Sequence, residues 1–336
     1  MTHVAVVGRL GYVADMLAAF VSTPAPKDPL SVLEVGDRPE PETPEGWTTV
    51  QVKAASLNHH DLFSLRGVGL PAERMPMTLG CDAAGLDEDG NEVVVHAVVS
   101  SPGWTGDETM DPKRSLLSEV HQGTLAERVA VPRRNLVPKP AELSFAEAAC
   151  LPTAWLTAYR MLFVRSGLRP GSTILVQGAS GGVATALIRL GSTAGYRVWV
   201  TGRSEEKRTA ALALGADQAF ESGARLPERV DGVMETVGEA TWSHSIKSLK
   251  PGGVVVTCGA TSGFNPGAEL NRVFFTQLSV IGSTMGTRDE LDDLIQMCRI
   301  TGVRPAIDVE LPLSQAREGF ERMLEGRTAG KIVFTL

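Results

Sequence analysis

The sequence predicts an α/β protein, a small β-rich domain followed by an open parallel sheet. Three observations predict it. The chain has 336 residues, enough for two domains at roughly 150 residues each. Short β-type runs separated by Pro, Gly and acid fill the first part, up to about residue 140. From residue 144 onward strand-like and helix-like runs alternate, the pattern of parallel strands joined by right-handed crossovers.

In the first part, residues 48–53, 92–99 (EVVVHAVV) and 126–131 read as strands, and residues 38–46 and 100–112 as loops. Strands at this spacing build a small barrel or sandwich. Residues 145–165 have helical character, and residues 172–177 (STILVQ) are a short apolar strand. Residues 182–195 place Val183, Leu187, Leu190 and Ala194 on one helix face. Residues 197–201 then read as strand, 205–214 as helix, and 218–221, 232–235, 253–258 and 278–281 as strands. Residues 288–300 and 314–325 have amphipathic helical spacing, and 331–335 form a last strand.

A composition 43% hydrophobic and 21% charged excludes a disordered, collagen-like or disulfide-stapled chain. Its formal charge is -7, with no block of Lys or Arg, so neither nucleic acid nor an anionic membrane is an expected partner. Cys81, Cys150, Cys258 and Cys298 are far apart and make no C-x-x-C pair. That argues against a zinc lobe and a disulfide framework, and for the reducing cytoplasm. Residues 1–20, broken by Arg9 and Asp15, make a poor signal peptide. No run of about 18 uncharged apolar residues occurs, so no membrane-spanning helix is expected.

The sharpest motif is Gln177-Gly178-Ala179-Ser180-Gly181-Gly182-Val183-Ala184, between a predicted strand and a predicted helix. A phosphate approaching that helix end meets free N–H groups and the positive end of the dipole. Side chains in the turn would block the approach, which accounts for the glycines. At the first turn of a strand–helix series, this arrangement predicts dinucleotide binding. The next strand ends in Gly202-Arg203-Ser204, without the carboxylate that binds an NAD ribose. Gly202 leaves room, Ser204 offers a hydrogen bond, and Arg203 and Lys207 supply charge, so NADPH is expected rather than NADH. The alternative is that Arg203 and Lys207 form a solvated helix start.

With these motifs in view, the chain resembles the medium-chain dehydrogenase/reductase superfamily, and within it the zinc-independent quinone oxidoreductase-like branch. The resemblance covers nearly the whole chain. It rests on Ala55-Ser56-Leu57-Asn58-His59-His60-Asp61, Leu79-Gly80-Cys81-Asp82-Ala83-Ala84-Gly85, Gly123-Thr124-Leu125-Ala126-Glu127, Leu151-Pro152-Thr153-Ala154-Trp155-Leu156-Thr157-Ala158-Tyr159, Leu214-Gly215-Ala216-Asp217 and Gly330-Lys331-Ile332-Val333, besides the glycine turn. It implies a GroES-like catalytic domain over residues 1–136, a Rossmann domain of doubly wound parallel sheet over 137–286, and a return segment, 287–336, that completes the first. It further implies a homodimer or homotetramer with the cofactor in the cleft between domains.

The resemblance also implies where a catalytic zinc would be held. The three ligand positions fall on Asn58, Cys81 and Thr153, and only Cys81 is a zinc-ligating side chain. Residues 100–119 contain none of the four cysteines of a structural-zinc lobe. No metal is therefore expected. The alternative is an atypical site drawn from His59, Cys81, Asp82 and Cys150, although a buried structural cysteine is the commoner role.

Without a Lewis acid, hydrogen-bond donors must stabilise the charge that develops on a carbonyl oxygen during hydride transfer. That favours a quinone or an α,β-unsaturated carbonyl as the small-molecule acceptor. Asn58 is the first candidate donor, to substrate or cofactor. His59 or His60, on a predicted loop, either donates a proton or lines the cleft. Thr153 either faces nicotinamide or caps a helix. Gly259-Ala260-Thr261 and Ser283-Thr284-Met285-Gly286 follow the last two strands of the sheet, at the edge where such sheets bind ligands. The resemblance puts Lys331 near the cofactor, and the alternative is a surface charge on a strand. Two other readings stand beside the quinone or enone reductase: an NADP-dependent alcohol dehydrogenase or carbonyl reductase, and a non-catalytic NADPH-binding protein.

Overall fold

A computed structural model of the protein describes residues 15–336. Residues 1–14, on which most of the leader expectation rests, lie outside the described residues. The β-rich unit is built on strand Trp47–Ser56. Thr48, Val50, Val52 and Ala54 alternate inward along it, the two-residue period of a strand with one buried face. Its first half pairs antiparallel with Arg128–Pro132 and its second half with Asp82–Leu86. Glu92–Val95 and Leu136–Pro138 continue one side. On the other side Lys331–Thr335 and Ile307–Pro312, from the far end of the chain, complete seven strands. A three-stranded antiparallel sheet of Leu33–Pro39, Asp15–Val21 and Met77–Thr78 is joined to it through the Ala19 N–H and the Leu125 carbonyl.

The second unit is a six-stranded, all-parallel sheet. In chain order its strands are Thr173–Gln177, Arg197–Gly202, Gln218–Glu221, Val230–Glu235, Leu249–Thr257 and Ser279–Gly282, and their spatial order is 3-2-1-4-5-6. The order reverses between the first and fourth strands, so their carboxyl ends flank a crevice. Every residue of Thr173–Gln177 is buried, and both faces are covered, which is why STILVQ is apolar without alternation.

Several expectations are corrected. Residues 92–99 are not one strand. The chain leaves the sheet at His96, whose backbone N–H and C=O bond to Asn135, and resumes as Val98–Val99. Residues 38 and 39, read as loop, close strand Leu33–Pro39. His59 and His60 lie on a short helix, His59–Leu65, and not on a loop. Residues 145–165 form four pieces: α-helices Phe145–Ala149 and Leu156–Tyr159, and π-helical turns Leu151–Trp155 and Arg160–Arg165. Pro152 has no N–H to continue an α-helix, and the wide turn forms around it. Helices Glu239–Ser248 and Leu270–Phe275 and strand Ile307–Pro312 escape the pattern reading because they bury few side chains.

The two units share one buried core. Ala54, Ala84, Val94 and Val333 of the β-rich sheet belong to the same apolar cluster as Trp155, Leu187 and Val200 of the parallel-sheet unit. The return helix Arg288–Thr301 puts Leu291, Leu294, Ile295 and Cys298 into that cluster, so it packs at the junction. Arg160 locks the loop after Val99 to this helix. Its Nη1 donates to both carboxylate oxygens of Glu290, at 2.7 and 2.8 Å, and its Nη2 donates to Asp107 at 2.5 Å. Within the loop, Asp111 accepts the Ser101 N–H, the Ser101 hydroxyl and the Lys113 N–H. Carboxylate turns thus hold the segment where a zinc lobe would need thiolates.

Arg160 is 5% exposed, so removing it strands two carboxylates. We expect Arg160→Met to cost roughly 3 kcal/mol of stability and to open the loop at residues 100–112 to protease. Arg160→Lys should rescue little, because an ammonium cannot reproduce the bidentate fork. Thermal midpoints and mapped cleavage sites check this, and a loop as resistant as in the parent would contradict it.

Candidate active site

Strand Thr173–Gln177 runs into Gly178, whose φ of +93° no side chain tolerates well. Ala179 is buried against the sheet, and the Ser180 carbonyl accepts the Gly330 N–H at 3.1 Å. Gly181 then caps helix Gly182–Thr193, and no capping side chain accepts the N–H groups of the helix start. A Cβ built on Gly181 would meet nothing within 4 Å, whereas one on Gly182 would lie 2.9 Å from the Lys331 Cδ and 3.1 Å from the Ala154 Cβ. The helix end therefore presents free N–H groups to open space on one side and presses on Lys331 on the other. Val183 and Ala184 seat the helix on the sheet. The open side is a ready anion site.

A buried polar network underlies the turn. Thr201 donates to Gln177 Oε1 at 2.6 Å, and Gln177 Nε2 donates to Ser245 and to His244 Nδ1, both at 2.9 Å. Ser245 donates to Glu235 at 2.5 Å, and Glu235 also accepts the Val237 and Gly238 N–H groups. Strands two, one and four are thereby tied at their carboxyl ends, and Gly259 and Ala260 lie alongside, close to Thr236 and Gly238. Pattern reading assigns no role to Gln177 or Glu235, although a polar residue closing an apolar strand is a usable signal.

At the tip of strand Arg197–Gly202, Gly202 is buried while Arg203 and Ser204 are exposed. Ser204 caps helix Glu205–Ala213 by accepting the Lys207 N–H at 3.4 Å. The Lys207 Nζ donates to the Gly326 carbonyl at 2.8 Å. Arg208 lies at the tip, with Nη1 on the Gly202 carbonyl at 2.9 Å.

Lys331 and Asn58 are bonded to each other inside the fold. Lys331 is 2% exposed, so it is no surface charge. Its Nζ donates to the Leu57 carbonyl at 2.8 Å, Asn58 Oδ1 at 2.6 Å and Asp82 Oδ2 at 3.3 Å. Asn58 Nδ2 donates to the same Asp82 oxygen at 2.8 Å, and Ser56 donates there too. Both ends of the Asn58 amide are thus engaged within the protein, leaving it no strong donor for a substrate. The Thr153 hydroxyl is the reverse case, a buried polar atom with no partner.

Helix His59–Leu65 starts where the Asp61 carboxylate accepts the Asn58 and Gly80 N–H groups, at 2.8 and 2.9 Å. His59 is exposed. The protein crowding its ring, then the charges of Lys331 and Arg66, hold its pKa below 6.5, which describes an imidazole on a cleft wall. His60 faces inward between Cys81 Sγ at 3.3 Å and Glu119 at 3.1 Å. Burial works against its charge, but Cys81, Glu119 and Asp61 outweigh burial and raise its pKa well above 6.5. Burial pushes the Cys81 thiol up to about 11, and that thiol donates to the Leu117 carbonyl at 3.2 Å. Glu119, lowered by His60 against its own burial, answers the histidine's charge.

His60, Asp61 and Cys81 bring ligand atoms within 4.8 Å of one another, a grouping that shares only Cys81 with the alternative set of His59, Cys81, Asp82 and Cys150. Cys150 donates to Ala146 inside its own helix, at 3.2 Å. Zinc requires a thiolate and a neutral imidazole. Here the thiol is protonated, the imidazole is paired as a cation, and Asp61 has both oxygens on backbone N–H groups. These residues do not fit a catalytic zinc as they are arranged.

Gly286 and Met285 close the site from the last strand. Met285, at φ +47°, packs on Cys81, Ala97 and Val98, and the Gly286 carbonyl accepts His96 Nε2 at 2.9 Å across the two units. All four cysteines are free thiols. Among the described residues no helix is long and apolar enough to cross a membrane.

Two families match the chain: an alcohol dehydrogenase GroES-like domain over residues 44–141 and a zinc-binding dehydrogenase over residues 182–299. The chain is 28% identical to an acryloyl-coenzyme A reductase of Metallosphaera sedula over 324 residues, 90% of this chain and 96% of the relative. Among solved structures, an NAD-dependent alcohol dehydrogenase is 33% identical, with TM-score 0.87 over 96% of this chain and all of the other. The 2-octenoyl-CoA carboxylase reductase CinF, in complex with NADP and 2-octenoyl-CoA, is 25% identical, with TM-score 0.88 over 96% of this chain and 87% of that one.

The histidines should titrate apart. His60 should stay charged through neutrality, and His59 should lose its proton below 6.5. The His60 contribution to stability is complete below 6.5 and fades as pH rises through its raised folded value. The Glu119 contribution holds above 4.5 and fades as pH falls through its lowered one. Glu119→Gln should therefore move the imidazole resonances of His60 to a lower midpoint and leave His59 in place. Equal midpoints for both rings in the parent protein would contradict the assignment.

Proposed function

The chain belongs to the medium-chain dehydrogenase/reductase superfamily of oxidoreductases, and on that premise we propose that it passes hydride from NADPH to a quinone or α,β-unsaturated carbonyl compound without a zinc ion. One observation carries the reading: the open, uncapped start of helix Gly182–Thr193 lies in a site whose zinc-ligand positions hold Asn58, a thiol at Cys81 and Thr153. The likeness to an acryloyl-coenzyme A reductase and to an NADP-bound enoyl-CoA carboxylase reductase supports an activated alkene as acceptor.

The bound nicotinamide would supply the hydride, and the chain's own residues do the rest. N–H groups at Gly181, Gly182 and Val183 hold the diphosphate. Arg203, Ser204 and Arg208 hold a 2′-phosphate at the strand tip. The backbone at Gly259 and Ala260 and the Met285 turn border the nicotinamide half. Thr153, with its unpartnered hydroxyl, offers a hydrogen bond where charge develops on the acceptor oxygen. His59, neutral at pH 7 because burial and the Lys331 and Arg66 charges lower its pKa, offers the acceptor a hydrogen bond from its ring N–H, and the proton that completes reduction comes from water. Asn58 and Lys331 act as positioning residues.

A second reading, an alcohol dehydrogenase with an atypical metal, rests on the His60–Asp61–Cys81 grouping and on the likeness to an NAD-dependent alcohol dehydrogenase. It requires His60 to leave Glu119 and Asp61 to release two backbone N–H groups. Oxidation of NADPH and NADH against quinones, enones and aldehydes, with and without chelator, separates the two. Enone or quinone reduction that survives chelation is the expected result, and loss of activity with chelator would refute the metal-free reading. Arg203→Ala combined with Arg208→Ala should weaken NADPH binding about tenfold to a hundredfold and change NADH little.

The same reading carries a homodimer. Strand Ser279–Gly282 pairs on one side alone among the described residues, and Leu270, Phe274 and Phe275 beside it are 69%, 63% and 76% exposed. An edge strand with an apolar flank suits a second copy across a twofold axis. Phe274→Glu with Phe275→Glu should yield monomers in sedimentation velocity, and a parent protein already monomeric would end the proposal.

A further inference from the structure

A cavity of about 350 Å³ opens between the loop that follows Val99 and the end of the parallel sheet. Its apolar wall is Val98, Leu116 and Met285, and its polar wall includes Arg114, Glu119 and Thr109. Val98, Leu116 and Met285 pack on Cys81, the neighbour of the Asp82 that holds Asn58. The cavity therefore adjoins the catalytic loop, on the side where Met285 leaves the last strand.

Two charged side chains line it. Glu119 is hydrogen-bonded to His60 at 3.1 Å and to the Leu116 N–H at 3.2 Å, and the charge of Arg114 also reaches it. Arg114 has no carboxylate partner among the described residues: its guanidinium makes a single hydrogen bond, from Nη1 to the Asp111 carbonyl at 3.2 Å. The other N–H groups of its planar fork are left for a ligand. The backbone beneath it is rigid, because the Arg114 and Lys113 N–H groups both return to Asp111. Arg114 is exposed, and a guanidinium on a rigid turn at the mouth of a partly apolar cavity, with no carboxylate bonded to it among the described residues, matches a carboxylate in shape and charge.

We propose that Arg114 selects an acceptor bearing a carboxylate, so that the substrate is a small anionic enone or unsaturated oxo acid. The inference rests on the reductase reading above. The volume is at the small end of ligand sites, so the anion belongs to the acceptor itself and not to a distant nucleotide tail.

The test compares 4-oxopent-2-enoate with its methyl ester and with crotonyl-CoA, using NADPH, the parent protein, Arg114→Ala and Arg114→Lys. The parent should favour the acid over the ester by about tenfold or more in kcat/KM. Arg114→Ala should erase that preference through KM, and Arg114→Lys should keep part of it. A parent that uses acid and ester equally overturns the proposal, as does an Arg114→Ala variant in which both fall by the same factor. A CoA ester preferred in an Arg114-dependent way also overturns it, by placing the anion in the nucleotide tail. Calorimetric binding of unreactive 4-oxopentanoate and its methyl ester to the NADP⁺-loaded protein reads the same preference without turnover. No turnover with a retained acid preference would count against the reductase reading alone, and equal binding would count against Arg114.

Discussion

The placement of one buried lysine organises this molecule. The stem of Lys331 passes under the first turn of helix Gly182–Thr193, where only glycine leaves room. Its Nζ then meets three oxygens, from Leu57, Asn58 and Asp82. A single side chain from the last strand thus fixes the loop that begins helix His59–Leu65 and abuts the helix that would hold a diphosphate. A buried amine is costly unless its hydrogens are satisfied. The requirement to satisfy them holds Asn58, Asp82 and Ser56 in one arrangement.

The same logic of satisfaction decides the character of the neighbouring cluster. His60, Asp61 and Cys81 are close enough to share an ion, yet each is committed elsewhere. Asp61 accepts two backbone N–H groups, His60 is paired with Glu119, and the Cys81 thiol donates to a carbonyl. Burial outweighs the charge of the adjacent His60 and keeps the Cys81 thiol protonated. Proximity of ligand-type side chains is therefore a weaker argument than the protonation states their surroundings impose.

The continuous apolar core between the two units gives the cleft walls a fixed separation, reinforced by Arg160 between Glu290 and Asp107 and by His96 on the Gly286 carbonyl. Burial holds the His96 ring down to about 4, so this cross-link is a neutral hydrogen bond that persists at ordinary pH. The Thr153 hydroxyl differs from these groups because the fold leaves it buried without a partner.

By itself the sequence determined the alternation of strands and helices that makes a parallel sheet, and the glycine turn at Gly178 to Gly182, because these depend on neighbours a few residues away, whereas the spatial order of the strands is a tertiary result. The absence of a carboxylate at Gly202-Arg203-Ser204 is likewise a local fact. Tertiary structure alone decided that Asn58 faces Lys331 across 273 residues of chain, that Lys207 turns to Gly326 while Arg208 remains at the strand tip, and that His60 pairs with Glu119 and not with a metal. Helix His59–Leu65 lies between these cases: Asn58 and Asp61 have cap spacing, but the Gly80 N–H that completes the cap comes from another strand region. Hydrogen-bond partners of buried polar groups are chosen by which backbones the packed core brings together, and a one-dimensional pattern does not contain that choice.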